Sequence, residues 1–418
     1  MSPNNIAYWD KRLSWATTFF FIGSAANSSL KTILPIPQSM WSLISVAVGG
    51  GILLGYLLCF KELQKRSGTL FWKSVLLFAI IYLLSAILIQ FRGEPLDQML
   101  TGTALLTFAW WIPTGVMACS VYDKSILYSV WAKASYIISG LAVLMFFFHL
   151  PSEQNITSPQ YNMSFGYMIV LPLLFQINEL TKPKKRKKKF LILLLVLLQV
   201  VTILIYANRG VLLALIFFIV YKFAFETKSR TRKFIAIVFL ALSVVVLSAR
   251  IQTIAQWAVD FLGLFNIESR TLDFLAEGTM DHLAGRDEIW AICFKMIGEK
   301  PILGWGLGGE YYHIGRLYGV PYDEITATAI HPHNGIIQNF VCFGIFGGFI
   351  ATLVILLPLL HLKTKNPFVH DILLVFASSA VIPMCISNAG FFISPAVAIY
   401  LYLFYKRKKD IVYEYTSH

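Results

Sequence analysis

Charge is what this chain has least of. Only 14% of its 418 residues are Asp, Glu, Lys or Arg, where a soluble protein carries roughly a quarter. The polar coat of a water-soluble globule cannot be assembled from that supply. Acidic residues are the scarcer kind, 22 against 35 Lys and Arg. Cysteine is scarce too. Cys59, Cys119, Cys293, Cys342 and Cys385 are scattered, and only Cys293 lies outside an apolar stretch. That spacing offers neither a disulfide framework nor a CxxC metal site, and the five read as small packing residues. No internal repeat and no low-complexity linker divides the chain.

What is abundant is hydrophobicity, at 57%. Apolar stretches of about 17–25 residues recur and read as transmembrane helices. Twelve are expected, at 14–34, 41–60, 71–91, 101–121, 125–148, 162–178, 190–207, 209–225, 233–249, 334–360, 371–386 and 388–405. The last two can also be drawn as a re-entrant pair. Lys11-Arg12 before an apolar run has the look of a signal peptide, but the run is long enough to cross and more follow, so an uncleaved first helix is expected. The expected fold class is an all-α polytopic membrane protein, with about 12 transmembrane helices and one long helical extracytoplasmic loop. Its parts are transmembrane helices 1–9 over 1–249, a loop domain with amphipathic helices over 250–333, helices 10–12 over 334–405, and a basic tail over 406–418.

The net charge of +13 raises the question of nucleic acid, and its distribution argues against it. All but nine of the Lys and Arg fall on one set of alternating loops. The nine are Lys31, Arg92, Arg209, Arg250, Arg270, Arg286, Lys295, Lys300 and Arg316. The dense groups, Lys61/Lys65/Arg66, Lys184–Lys189, Lys228/Arg230/Arg232/Lys233 and Lys406–Lys409, share a side, which the positive-inside rule assigns to the cytoplasm. Both termini are then cytoplasmic and the long loop is outside. The basic runs read as anchors on anionic lipid headgroups, and no nucleic-acid partner is expected.

The long loop carries half of the chain's acidic residues. Ile251, Ile254, Ala258, Phe261, Leu262 and Phe265 recur at helical spacing opposite Gln252, Gln256 and Asp260, an amphipathic helix suited to a membrane surface. A second helix is expected from Arg286 to Ile297, with Gly298 as its end cap and Pro301 preventing continuation. Gly304–Gly309 fits GxGxxG, but no strand precedes it in a βαβ unit, so a tight turn near membrane or ligand is expected instead of a dinucleotide site.

Three residues could carry chemistry. Arg209 stands between two apolar spans with almost no loop, where an arginine is costly unless it reaches a polar cavity or snorkels to headgroups. Arg286 opens a loop helix, where free N–H groups favour an anion and a guanidinium can bind phosphate bidentately. Its alternative is a salt bridge to Asp287 or another loop carboxylate, and Asp287 and Glu288 compete for the helix start. His333 sits where polar loop meets membrane helix and titrates near neutrality, so it can take a proton from a hydroxyl. Its alternative is a hydrogen-bonded interface residue. His331 and His333 form an H-x-H pair, but spacing supplies no third zinc ligand, and no metal is expected. Whether His331 takes part stays open.

The pattern resembles the O-antigen ligase and O-antigen polymerase superfamily of bacterial envelope enzymes. That family's histidine, then Asn, Ser or Gln, nine residues and Gly-x-x-Gly is matched by His333-Asn334, 335–343, Gly344 and Gly347. Pro301–Gly308 resembles the family's upstream stretch, and Arg209 and Arg286 match its two arginines. The resemblance implies a metal-independent inverting glycosyltransferase without cofactor, working at the outer face of the bacterial cytoplasmic membrane. The donor implied is an undecaprenyl-pyrophosphate-linked glycan. Arg209 and Arg286 would grip the pyrophosphate and His333 would orient or deprotonate the acceptor hydroxyl, with Asn334, Gly344 and Gly347 in support. Polymerisation of repeat units is the leading expectation, with a chain-length regulator as a possible partner. Ligation to a lipid A core is the alternative, and a lipid-linked glycan transporter is the second.

Overall fold

The structure, a computed structural model, describes residues 2–33, 37–91, 98–148, 164–206, 209–222, 286–317, 331–386 and 390–406. It also describes isolated positions between 226 and 278 and at 319. The described residues form helices and connecting turns without a strand. In chain order these are α1 (Pro3–Ile33), α2 (Trp41–Ser67), α3 (Leu70–Phe91), α4 (Gln98–Leu106), α5 (Ile112–Ser120), α6 (Lys124–Phe148), α7 (Ser164–Leu180), α8 (Arg186–Tyr206) and α9 (Arg209–Val220). Then follow α10 (Arg286–Glu299), α11 (Gly309–Leu317), α12 (Gly335–Leu356), α13 (Pro367–Phe376), α14 (Ile382–Ile386) and α15 (Pro395–Lys406).

Among the described residues, six stretches are long and apolar enough to cross a membrane: Trp41–Ser67, Leu70–Phe91, Leu100–Ser120, Lys124–Met145, Gly335–His361 and Pro367–Cys385. Gly166–Leu180 and Gly210–Val220 are shorter apolar helices. The chain is therefore an α-helical polytopic membrane protein. The expected span 233–249 lies almost wholly outside the described residues, as do the turn at Asn208 and the tail beyond Lys406.

Two of the long helices carry a π-turn, and the sequence says why. Thr107–Trp111 joins α4 to α5 just before Pro113, and Ala377–Val381 joins α13 to α14 just before Pro383. Proline has no N–H and its ring clashes with the carbonyl four residues back, so the turn before it widens. The first π-turn then serves as a grip. Trp111 Nε1 donates to the Phe391 carbonyl at 3.0 Å, and Thr107 Oγ1 lies 2.9 Å from that of Phe392.

At one end of the bundle, charges are buried in knots. Arg66 of α2 pairs with Asp10 of α1 and, at 2.8 Å, with Glu62. Asp10 also accepts from the backbone N–H groups of Tyr122 (3.1 Å) and Asp123 (2.8 Å), so one carboxylate ties α1, α2 and the α5–α6 turn. A second knot holds Glu179 at the end of α7 with Lys182 and Lys184, and Asp371 of α13 with Lys182 and Lys222, both at 3.2 Å. Tyr128 of α6 donates to Glu179 at 2.8 Å, which places both knots at the same end. Above them a continuous apolar core links α1, α5, α6, α7, α13 and α15, with Trp131, Phe175, Phe376 and Tyr400 fully buried.

The stretch expected as the tenth span is broken in the middle. Gly344 has φ 69° and ψ −172°, far from helix. Asn339 Nδ2 donates to Thr352 Oγ1 at 3.2 Å, although thirteen residues of straight helix would separate them by about 20 Å. A Cβ on Gly348 would lie 2.6 Å from the Cα of Phe340. Residues 335–343 and 345–356 are thus folded back on each other as a helical hairpin with Gly344 at its tip.

The helix expected from Arg286 to Ile297 is α10, with one correction. Gly298 lies inside it, not at its cap. Lys300 N–H still reaches the Met296 carbonyl at 3.1 Å, and the helix stops only where Pro301 has no N–H to offer. The described part of the expected 251–265 helix, 252–253, 255–261 and 263, is helical, with Trp257, Phe261 and Leu264 exposed and Ala255 buried.

Candidate functional site

The site begins with a helix cap. Asn334 is extended (φ −152°), and its side chain accepts from the N–H groups of Ile336 at 2.9 Å and Ile337 at 3.1 Å. It is the N-cap of α12, which satisfies two of the four N–H groups a helix start leaves open. The residue before it, His333, is held at φ 51°, the only described non-glycine residue with positive φ. A non-glycine residue in that region carries backbone strain, which concentrates at functional sites. The imidazoles of His331 and His333 lie 4.1 Å apart, centre to centre. Among the described residues no group of three His, Cys, Asp or Glu is placed to hold a metal ion.

α10 runs beside the first half of α12, in the same direction. Its first turns are tied to the histidine segment, because Trp290 Nε1 donates to the Pro332 carbonyl at 2.7 Å. Arg286, half-buried, heads the same helix four residues earlier, one turn above Trp290 on the same face. Ile289, Cys293 and Met296 pack with Val341 and Trp305, with Ile337 against them. The structure thus brings the start of Arg286's helix to His333 and Asn334.

The two helices separate at the far end, and the glycine-rich segment fills the break. Ile345 N–H, deprived of a helical partner, donates to the Pro301 carbonyl at 2.7 Å. Trp305 and Gly306 donate to the carbonyls of Val341 and Cys342, both at 2.9 Å. Buried backbone groups need such partners. Gly304 (φ 66°) and Gly344 are both required by this close approach: a Cβ on either would lie about 2.5 Å from the other segment's backbone. Gly347 lies inside the same bend, where a Cβ would meet that of Phe343 at 2.8 Å. Gly344 and Gly347 therefore shape the hairpin and stand apart from His333. The expected tight turn is present, and its backbone is engaged with protein.

Arg209 is the first residue of α9, and its side chain lies outside the described residues. The helix itself can be followed. Lys222, just beyond it, is paired to Asp371 at the start of α13, and α14, at the other end of that helical run, packs on both α9 and α12. α9 and α12 thus both pack on one short helix.

Sequence reasoning missed the polar residues beneath the histidines. Glu310 of α11 is fully buried. Its Oε1 accepts from Gln338 Nε2 at 2.8 Å, and Gln338 Oε1 accepts from the Gly390 N–H at 2.7 Å. Burial pushes the Glu310 carboxyl above the ordinary carboxylate range, opposed by its hydrogen bond from Gln338. A cavity of about 20 Å³ lies beside it, lined by Tyr82, Thr103, Tyr311, Gln338 and Cys342 among others. A glutamine inside an apolar run was the available signal, since polar residues at membrane depth are seldom idle. A larger cavity of about 240 Å³, walled by Phe20, Tyr167, Leu171 and Met384, lies elsewhere in the bundle and touches none of these residues.

Fold and site together define a polytopic helical membrane protein whose histidine-bearing segment is braced by a loop helix with an arginine at its head. Residues 191–352, which span α10, α11, the histidines and the hairpin, match the family described as O-Antigen ligase (Wzy_C). Over that stretch, which is less than half of the chain, the protein is similar to the O-antigen ligase family. No curated protein and no solved structure matches it.

Proposed function

We propose that this protein is a metal-independent, inverting glycosyltransferase that polymerises undecaprenyl-pyrophosphate-linked repeat units at the outer face of the bacterial cytoplasmic membrane. The acceptor hydroxyl oxygen attacks the anomeric carbon from the side opposite the pyrophosphate. Its proton passes to His333 while the bond to the pyrophosphate oxygen breaks. Arg286 and Arg209 take up the charge that grows on the leaving group. Asn334 caps α12 and holds the backbone of His333, and Gly344 and Gly347 maintain the hairpin behind it.

The observation that carries this reading is the Trp290–Pro332 hydrogen bond within the O-Antigen ligase domain. It supports an arginine and a histidine that act on one substrate. For Arg209 the support is the packing of its helix on α14, which also packs on α12. Cytoplasmic termini, the charged knots on the cytoplasmic side and His333 facing outward complete the proposal, with fewer straight crossings than the twelve expected because 335–356 folds back at Gly344. They rest on hydropathy and on the positive-inside rule. Ligation of the finished glycan to a lipid A core uses the same donor and residues, and the family's description favours it as the second reading.

The test is a reconstituted assay with purified protein and undecaprenyl-pyrophosphate-linked repeat units, with and without chelator, beside His333→Ala. Longer lipid-linked chains, insensitive to chelator and lost in the variant, are expected. Transfer only after a lipid A core is added would make the protein a ligase. Movement of the lipid between leaflets without any transfer would make it a transporter.

A further inference from the structure

Glu310 is used by none of the steps above, yet its surroundings are specific. It is a carboxyl with no exposure, in a helix that packs on α10, α12 and α4. One oxygen is held by Gln338 at 2.8 Å, the Cys342 thiol lies against the carboxyl, and the other oxygen, Oε2, has no geometric hydrogen-bond partner among the described residues. Among the described residues, the titratable groups around it are Tyr82 from α3, Cys293 from α10, Tyr311 from its own helix and Cys342 from α12. None of them is a cation. A carboxylate in such a place is strongly disfavoured, whereas a neutral acid needs only one acceptor for its hydroxyl. The adjoining cavity of about 20 Å³ has room for one water to serve as that acceptor.

The contacts beyond Glu310 lead to the histidines. Gln338 Nε2 also reaches Tyr311 Oη at 3.4 Å. The Tyr311 ring lies 6.4 Å from that of His331, which is 4.1 Å from that of His333. Gln338 in turn holds Gly390, whose neighbours Phe391 and Phe392 are gripped by the π-turn of α4 and α5. We propose that Glu310 is a positioning residue that works as an un-ionised carboxylic acid: with Gln338 it clamps α11 to the first half of α12, and through Tyr311 it fixes the His331–His333 pair. The positioning role rests on the reading of His333 as the group that handles the acceptor, while the un-ionised clamp does not.

Full-length protein in lipid nanodiscs tests it with Glu310→Gln, Glu310→Ala and Gln338→Ala. Glu310→Gln keeps the acceptor for Gln338 and a donor toward the cavity without an ionisable proton. Infrared spectra of the wild type should show the carbonyl band of a protonated carboxylic acid, shifted in heavy water and absent from Glu310→Gln. Because burial raises the carboxyl above its unfolded value, its contribution to stability is full at low pH and lost as pH rises through the folded value. The wild type should therefore melt progressively earlier as pH is raised from the ordinary carboxylate range toward the folded value, and Glu310→Gln should lose this part of the dependence. Those two readouts involve no transfer and decide the clamp even where no donor is turned over. In the transfer assay, Glu310→Gln should stay within about threefold of wild type, while Glu310→Ala and Gln338→Ala lose on the order of 10–100-fold in kcat at little-changed KM. Absence of the acid band overturns the proposal. So does a Glu310→Gln protein that melts like wild type but is as inactive as Glu310→Ala.

Discussion

The two ends of the described bundle treat buried charge in opposite ways. Where α1, α2 and α6 meet, Asp10 and Arg66 are buried together, and Asp10 has two backbone N–H groups as well. Beside the histidines, Glu310 is buried with an amide, four neutral titratable neighbours and no cation among the described residues. A paired buried charge is a fastener, because removing either partner strands the other in apolar surroundings. An unpaired buried carboxyl gives up its proton only with difficulty and can hold a neighbour without adding a field at the place where charge must move. The first arrangement suits the end that only has to stay closed. The second suits a region where strain at His333 and a broken helix at Gly344 have to be kept in register.

That contrast can be broken most directly at His333. Substitution by Ala should leave melting within about 1 kcal/mol of wild type and lower turnover by 10²–10⁴-fold, the range of a general base. A variant that fails to insert or fold would make the residue structural. At the paired end the reverse is expected. Arg66→Ala leaves Asp10 uncompensated and should destabilise the protein by about 3–5 kcal/mol, with the kcat of the surviving folded fraction unchanged. A large drop in kcat per folded molecule would erase the distinction between the two ends.

Smaller effects sharpen it. Arg286→Lys keeps the charge and loses the planar fork, and about tenfold or more in kcat/KM should go with it if a pyrophosphate is gripped bidentately. Activity equal to wild type counts against that grip. Gly344→Ala forces a Cβ into the Ile302 carbonyl at a positive φ, so it should cost about 1–3 kcal/mol in thermal stability and loosen α10 as seen by hydrogen exchange. Asn334→Ala removes one cap, about 1 kcal/mol, and Asn334→Asp should restore it. Equal stability of both variants would mean that the cap is not what holds the start of α12.

Much of this was legible in the residues themselves. The helical membrane class follows from charge scarcity and apolar run length, since lipid permits no other use of such segments in a helical chain. The start of α10 at Arg286 and its end before Pro301 follow from local rules of helix initiation and proline chemistry. That Asn334 caps the helix beginning after His333 was seen only in the structure. The hairpin was not legible. A continuous apolar run from 334 to 360 has the length of one crossing, and nothing local says that Gly344 turns left-handed until Pro301–Gly306 arrives to take up Ile345 N–H and the Val341 and Cys342 carbonyls. Glu310 was hidden for a similar reason. Its place in an acidic loop suggested solvent, and only the packing of α11 on α12 took it out of water.

By itself, then, the sequence determined the solvent each segment prefers, the points where helices start and stop, and the residue types available for chemistry, because these depend on composition and on neighbours within one or two turns. Which of those residues meet was decided only in three dimensions. The approach of α10 to Pro332, the reversal at Gly344 and the burial of Glu310 each satisfy a backbone or polar group whose partner lies far away in the chain. Such partners are chosen by exclusion of water and by fit, which no local pattern records.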